Sequence, residues 1–455
     1  MARRTSPTGR RRPVRRVSRP AVRRISAPSL DVRSLPGPET VLRRELSNGI
    51  VVLARENFSS PSVVISGYLP VGSIFESRAQ AGLADLTASA LMRGTERWSF
   101  SEIYEQLESV GASLGLGAGK HATSFQGKSL AEDLGLLLDL LAAALMRPVF
   151  PEPQVERLRG EKLTALAIRD QDTGAVAGMT FDELAYPGHP YSLPDDGYPD
   201  TVRSLTVPDL QAFHRRHFGP RGMVLAVVGA VKVEAAVEAV ERRLGGWHNS
   251  DQPAPPPLPP VSAPAQLVRK DVFLAGKSQC DVVIGSPGPS RKDPAYLAAA
   301  LGNHILGRFG LMGRIGDAVR ESAGLAYYAY SSIGNGLGPE PWQVVAGVNP
   351  ANVERAVDLV RREIGRFVRH RVSAEELSDN QTHFIGRLPL QLESNEGVAS
   401  ALVHIERFDL GLDYYQRYPD LIRGVTRDHI LSVARRFLDR DRLALAVAGP
   451  TRKED

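Results

Sequence analysis

The stretch "TVPDLQAFHRRHFGPRGMVLAVVGAV", residues 206–231, decides the fold because the chain contains it twice. Residues 426–451, "TRDHILSVARRFLDRDRLALAVAGPT", align with it without a gap at an offset of 220. Arg215/Arg435, Arg216/Arg436, Leu225/Leu445, Ala226/Ala446, Val227/Val447 and Gly229/Gly449 are identical pairs. Each copy reads as a helix, a short turn and a buried apolar strand ending at glycine. A period this long indicates duplicated domains rather than a solenoid.

Working outward, "GIVVLARE" and "PSVVISGYLPVGS" read as adjacent strands in the first half, and "LVRKDVFLAG" and "SQCDVVIGSPG" in the second. Helical periodicity runs over 130–146, 152–171, 232–245, 351–370, 374–393 and 426–438. Strands grouped with helices predict an α+β protein of two homologous domains. Each is a mostly antiparallel sheet with helices packed on one face. Residues 248–266, "HNSDQPAPPPLPPVSAPAQ", carry seven prolines and read as an extended spacer. The predicted division is a basic tail (1–38), a first domain (39–247), the linker (248–266) and a second domain (267–450).

Of 455 residues, 42% are hydrophobic and 24% charged, which is ordinary for a globular chain. No run of 18 apolar residues marks a membrane span. The single cysteine, Cys280, excludes an internal disulfide and a cysteine-rich zinc site. The net charge of +5 belongs to residues 1–24, which hold ten arginines and no acid. Without them 46 basic residues face 51 acidic ones. Three readings of the tail stand side by side: a solvated arm, a nonspecific contact to nucleic acid or anionic lipid, and an organelle transit peptide. "RRISAPSLDV" lacks the apolar core of a secretory signal.

The stretch "AGLADLTASALMRGT" (81–95) is patterned as an amphipathic helix that stops at a glycine. Asp85, Ala88 and Ser89 share one face, at the spacing of the H-x-x-E-H motif of a class of zinc peptidases. In that motif two histidines bind zinc and the glutamate is the general base. A serine hydroxyl is a poor zinc ligand and alanine moves no proton.

Together with "LSNGIVVLARE", "YLPVGSIFES", "PGHPYSLPDDG" and residues 207–229, this ordered set resembles the pitrilysin/insulinase metallopeptidase family, in its two-domain, processing-peptidase-like group. The resemblance spans about residues 40–450. It implies a third zinc ligand, a glutamate about 76 residues past the second histidine. Counted from Ser89 this falls on Ala165, with Glu156 and Glu161 nearby. The resemblance therefore implies that Asp85, Ala88, Ser89 and Ala165 are degenerate zinc and base positions, with no metal or other cofactor in this chain.

In the second half, "LGNHILGRFGLMGRIGDAVRESAGLAYYAYSSIG" (301–334) resembles a family segment that carries an arginine and, seven residues on, a tyrosine. Here they are Arg320 and Tyr327. The resemblance implies that this pair hydrogen-bonds the substrate backbone and the developing oxyanion. Gly302, Gly307, Gly310, Gly313 and Gly316 read first as packing glycines of a helix–turn–helix. The resemblance, and not the residues themselves, implies a substrate-loop role for Gly307, Gly310 and Gly313.

Lesser candidates read as structural. His214 and His217 form H-x-x-H, but the aligned positions are Ala434 and Phe437, so the fold does not require imidazole there. His189 reads as a turn hydrogen-bonder and Cys280 as a buried small side chain.

The resemblance implies a non-catalytic, substrate-binding subunit of a heteromeric zinc metallopeptidase acting on peptides. Its partner is a homologous H-x-x-E-H chain that carries the zinc. The alternative is a structural pseudoenzyme like the core proteins of respiratory complexes; a third reading is a nucleic-acid-associated protein acting through the tail. The expected location is the bacterial cytoplasm, or an organellar matrix if the tail is a transit peptide.

Overall fold

A computed structural model of the chain describes residues 31–450. The strands are β1 (Leu42–Glu45), β2 (Val51–Glu56), β3 (Ser62–Leu69), β4 (Ser113–Ala118), β5 (Thr123–Leu130), β6 (Val224–Gly229), β7 (Val268–Phe273), β8 (Cys280–Pro287), β9 (Ala326–Ile333), β10 (Pro341–Val348) and β11 (Ala444–Gly449). The helices of the first half are α1 (Leu83–Ala90), α2 (Phe100–Ser109), α3 (Leu134–Met146), α4 (Glu152–Arg169), α5 (Thr173–Ala185), α6 (Pro199–Ser204), α7 (Val207–His217) and α8 (Val233–Leu244). Those of the second are α9 (Tyr296–Gly307), α10 (Phe309–Gly316), α11 (Val353–Phe367), α12 (Ala374–Gln391), α13 (Asn395–Arg407), α14 (Tyr414–Arg423) and α15 (Arg427–Phe437).

The repeat survives residue for residue. α7 and α15, and β6 and β11, are offset by 220 at both ends. Each helix starts at a threonine, Thr206 or Thr426, whose hydroxyl accepts the N–H three residues on. Each strand is buried along all six residues and sits inside its sheet. The sheet orders are β1-β2-β6-β3-β5-β4 and β7-β11-β8-β10-β9. β6 runs parallel to β2 and antiparallel to β3; β11 stands in the same relation to β7 and β8. The strands read as adjacent in sequence are therefore separated by the repeat strand. The paired glycines mark the strand ends: a Cβ on Gly229 would lie 2.3 Å from Ser62 O, and one on Gly449 2.4 Å from Cys280 Sγ.

Helices cover both faces of each sheet, not one. Val52, Ala54, Ile65, Leu225 and Val227 pack against α1, α3, α7 and α8 of their own half. The alternate residues Val51, Leu53, Val64, Val224, Ala226 and Val228 pack against Val398, Leu402 and Ile405 of α13, from the second half. The second sheet returns the exchange. Its Val283, Ala444, Ala446 and Ala448 meet Ala177, Phe181 and Ala185 of α5, from the first half. Each fully buried aliphatic or aromatic side chain in these layers contributes about 1.5–3 kcal/mol. The proline-rich stretch is packed too: Leu258 and Val261 lie against the α5 layer, and Gln252 is buried against Arg221.

Residues 1–30 of the basic tail lie outside the described residues. By Leu35, inside the predicted 1–38 tail, the chain is already buried in the α13 layer. Among the described residues no helix is long and apolar enough to cross a membrane.

Candidate functional site

α1 follows Gly82, whose φ of +96° suits glycine. Its first N–H groups are held from outside the helix. The Glu76 carboxylate accepts Gly82 N–H at 3.0 Å and Ala84 N–H. Burial pushes the Glu76 carboxyl up to about 8, against the pull of those two donors. The helix buries Leu83, Leu86, Ala88 and Ala90.

Asp85 is mostly buried, and Lys162 of α4 donates to its carboxylate. Burial raises the Asp85 pKa and the Lys162 ammonium opposes the rise. One turn beyond Lys162 on α4 stands Ala165. Ala88, Ser89, Lys162 and Ala165 line one cavity of about 410 Å³, closed on another side by Leu114–Leu116 of β4. The structure thus brings the candidate base and ligand positions together, 76 residues apart in sequence. Lys162 escaped the sequence reading; its place three residues before Ala165 on the same helix was the available signal.

These residues do not fit a zinc ion. Ala88 and Ala165 carry no donor, Ser89 offers a neutral hydroxyl, and the Asp85 carboxylate already faces an ammonium. The neighbouring acids are engaged: Glu161 with Arg93 at 3.0 Å and Glu156 with Arg159 at 2.9 Å. Among the described residues no group of three or more His, Cys, Asp or Glu side chains is arranged to hold a metal.

The second-half candidates both sit on irregular backbone, Arg320 in a helical turn and Tyr327 on an edge strand. Arg320 belongs to a π-helical turn, Asp317–Glu321, and its Nη1 lies 3.5 Å from Glu321 Oε1. Tyr327 is 83% exposed. It is the extra residue of a β-bulge: Gly347 pairs with Tyr328 and Val348 with Ala326, which leaves Tyr327 unpaired on edge strand β9. The next residue points the other way, and the Tyr328 hydroxyl donates to the buried Asp281 carboxylate. Asp281, on β8, also accepts from Thr173 Oγ1 at 2.5 Å, so one carboxylate ties α5 of the first half and Tyr328 of β9 to β8. Among the described residues no hydrogen bond joins Arg320 or Tyr327 to α1 or α4.

The glycines divide. A Cβ on Gly307 would lie 2.1 Å from Ser331 N, and one on Gly313, at φ +62°, 2.7 Å from Gly307 N. Close packing accounts for both. Gly310, at φ +63°, has nothing within 4 Å of that position. His214 Nε2 pairs with Leu145 O at 2.8 Å, and His217 packs on Phe75 and Phe213 with ring centroids 4.6 Å apart. His189 Nδ1 accepts Tyr191 N–H at 3.1 Å. Cys280 is fully buried. All four sit as structural groups.

Residues 51–186 match the family described as Insulinase (Peptidase family M16), and residues 204–383 match Peptidase M16 inactive domain. An uncharacterized zinc protease of Streptomyces coelicolor is 28% identical over 91% of this chain and 90% of its own length. Human mitochondrial cytochrome b-c1 complex subunit 1 is 26% identical over 60% of this chain and 56% of its own. A probable mitochondrial-processing peptidase subunit beta of Arabidopsis thaliana is 28% identical over 48% of this chain and 39% of its own. The crystal structure of a protease from Helicobacter pylori shares the fold, with a TM-score of 0.83 at 18% identity over 91% of this chain and all of that one. The duplicated sheets, the ordered motifs and these matches make the chain a member of peptidase family M16 that lacks the catalytic motif.

Proposed function

We propose that this chain is the non-catalytic, peptide-binding subunit of a two-chain zinc metallopeptidase. The observation that carries the reading is a contrast between its halves. The α1–α4 site offers an ion pair and methyl groups in place of ligands and base. Tyr327 points outward from a bulge on edge strand β9, and Arg320 stands in the π-helical turn that precedes that strand. Arginine supplies a permanent charged fork for peptide carbonyls, and a phenol donates to a carbonyl oxygen as it becomes negative. β4, an edge strand beside the cavity, has main-chain groups free to pair with an extended peptide. Zinc and general base come from a homologous partner that keeps H-x-x-E-H. Relatedness to a processing-peptidase subunit and to a b-c1 complex subunit supports a role inside an assembly.

The test is reconstitution with the partner. Arg320→Ala and Tyr327→Phe are expected to lower peptide turnover by about tenfold or more, the scale of losing an oxyanion donor, with assembly unchanged. Unchanged turnover would remove the substrate-binding role. A second reading, a scaffold with no part in proteolysis, is favoured by the similarity to the b-c1 subunit over 60% of this chain. Assembly without any effect of either variant on peptide affinity or turnover would select it.

A further inference from the structure

Arg291, in the loop between β8 and α9, is 7% exposed. Among the described residues no carboxylate pairs with its guanidinium. Its one side-chain hydrogen bond runs from Nη2 to Tyr414 Oη at 2.8 Å, which leaves Nε and Nη1 without a protein acceptor. The rings of Tyr296, Phe408 and Tyr414 surround it at 4.8, 5.8 and 5.6 Å. A buried cation without a counter-ion is costly, and proteins rarely keep one without use.

The surroundings add positive potential. Arg291 lines a cavity of about 360 Å³, and two helices begin at its wall: α9 at Tyr296 and α14 at Tyr414. Neither helix has a side chain capping its first turn from the N-cap position. Helix N-termini favour anions. Lys292 also lines the cavity, and Arg291 and Arg407 join burial in pushing the nearby His404 down to about 4. Of the two acids on the wall, Asp293 pairs with Arg436 at 3.0 Å and accepts Ala295 N–H, and Asp409 is exposed.

We infer that the cavity around Arg291 is a binding site for a small oxyanion, a carboxylate or a phosphate group. The free edge of the guanidinium takes two of its oxygens, and the aromatic rings take its apolar part. The site stands apart from Arg320 and Tyr327 and does not depend on the peptidase reading.

Calorimetric titration of the full chain tests it with inorganic phosphate, benzoate and the neutral control benzamide. Saturable binding of phosphate or benzoate, tighter than about 10 mM and with none for benzamide, is expected. Phosphate alone or benzoate alone identifies the class. Arg291→Met, which keeps the packing and drops the charge, should weaken binding by about tenfold or more. Arg291→Lys, which keeps the charge and loses the fork, should fall between. Without ligand, Arg291→Met should melt no lower than wild type, because it removes an uncompensated buried charge. Absence of binding by wild type, equal binding by Arg291→Met, or a ligand-free Arg291→Met that melts lower or fails to fold would each overturn the inference. The last would make Arg291 a strut held by its aromatic neighbours.

Discussion

Replacing Lys162 with methionine removes the ammonium that faces Asp85 and asks what joins α1 to α4. The two side chains are 22% and 17% exposed. Breaking a fully buried pair costs about 3–5 kcal/mol, and an exposed pair is worth about 0–1 kcal/mol. This pair lies between, so Lys162→Met should cost about 2–3 kcal/mol at neutral pH. The cost comes from stranding a carboxylate, so Asp85→Leu with Lys162→Met should recover to within about 1 kcal/mol of wild type. The pH dependence fixes the sign. Burial already raises the folded-state pKa of Asp85, and losing Lys162 raises it further. An acid with a raised folded pKa contributes stability that is full below its unfolded pKa and is lost as pH rises through the folded one. The Lys162→Met penalty should therefore be largest at neutral and alkaline pH and shrink as acid protonates Asp85. Urea unfolding of the four proteins of this cycle, repeated across pH, measures it. A Lys162→Met variant within about 0.5 kcal/mol of wild type at pH 7 would refute the view that this pair holds α1 to α4.

Glu76→Gln should flatten a pH dependence that runs the same way. The folded-state carboxyl titrates near 8 rather than at the ordinary 4.5, so its contribution is full in acid and lost as pH rises through 8; melting curves from pH 5 to 9 would show it. His217 behaves oppositely. Burial lowers it to about 4, so its contribution is present above 6.5 and lost as pH falls through 4. His217→Phe, replacing a ring whose Nδ1 is buried without a partner, should reduce acid unfolding and keep the stacking on Phe75 and Phe213. Gly307→Ala should cost about 2–3 kcal/mol by chemical denaturation, because its methyl group would strike the backbone of β9.

Much of the fold was legible because the repeat carries it. One gapless alignment placed α7, α15, β6 and β11 with their ends, and the periodic stretches became α3, α4, α8, α11 and α12. What escaped was partnership. The apolar side of α13 says that it is buried, not that it is buried under the other half's sheet; period and propensity are local, and the α5–α13 exchange spans more than 200 residues. The same limit explains the strand order, since β6, which begins 155 residues after β3 ends, enters between β2 and β3. At the site, spacing and resemblance found Ala88, Ser89 and Ala165, which share a cavity. They did not find Lys162, because a lysine among the charged residues of α4 does not announce an ion pair; its place three residues before Ala165 was the one pointer. Arg291 sits in a loop, "GPSRKDP", where nothing in the pattern reports burial.

The central claim is that chemistry comes from another chain. Purification of the tagged protein at native expression, with mass spectrometry of what accompanies it and elemental zinc analysis, tests this most directly. The expected result is a stoichiometric partner containing H-x-x-E-H, about one zinc per pair, and none in this chain once separated. A homodimer without zinc and without such a partner, or stoichiometric zinc retained by the isolated chain, would contradict it.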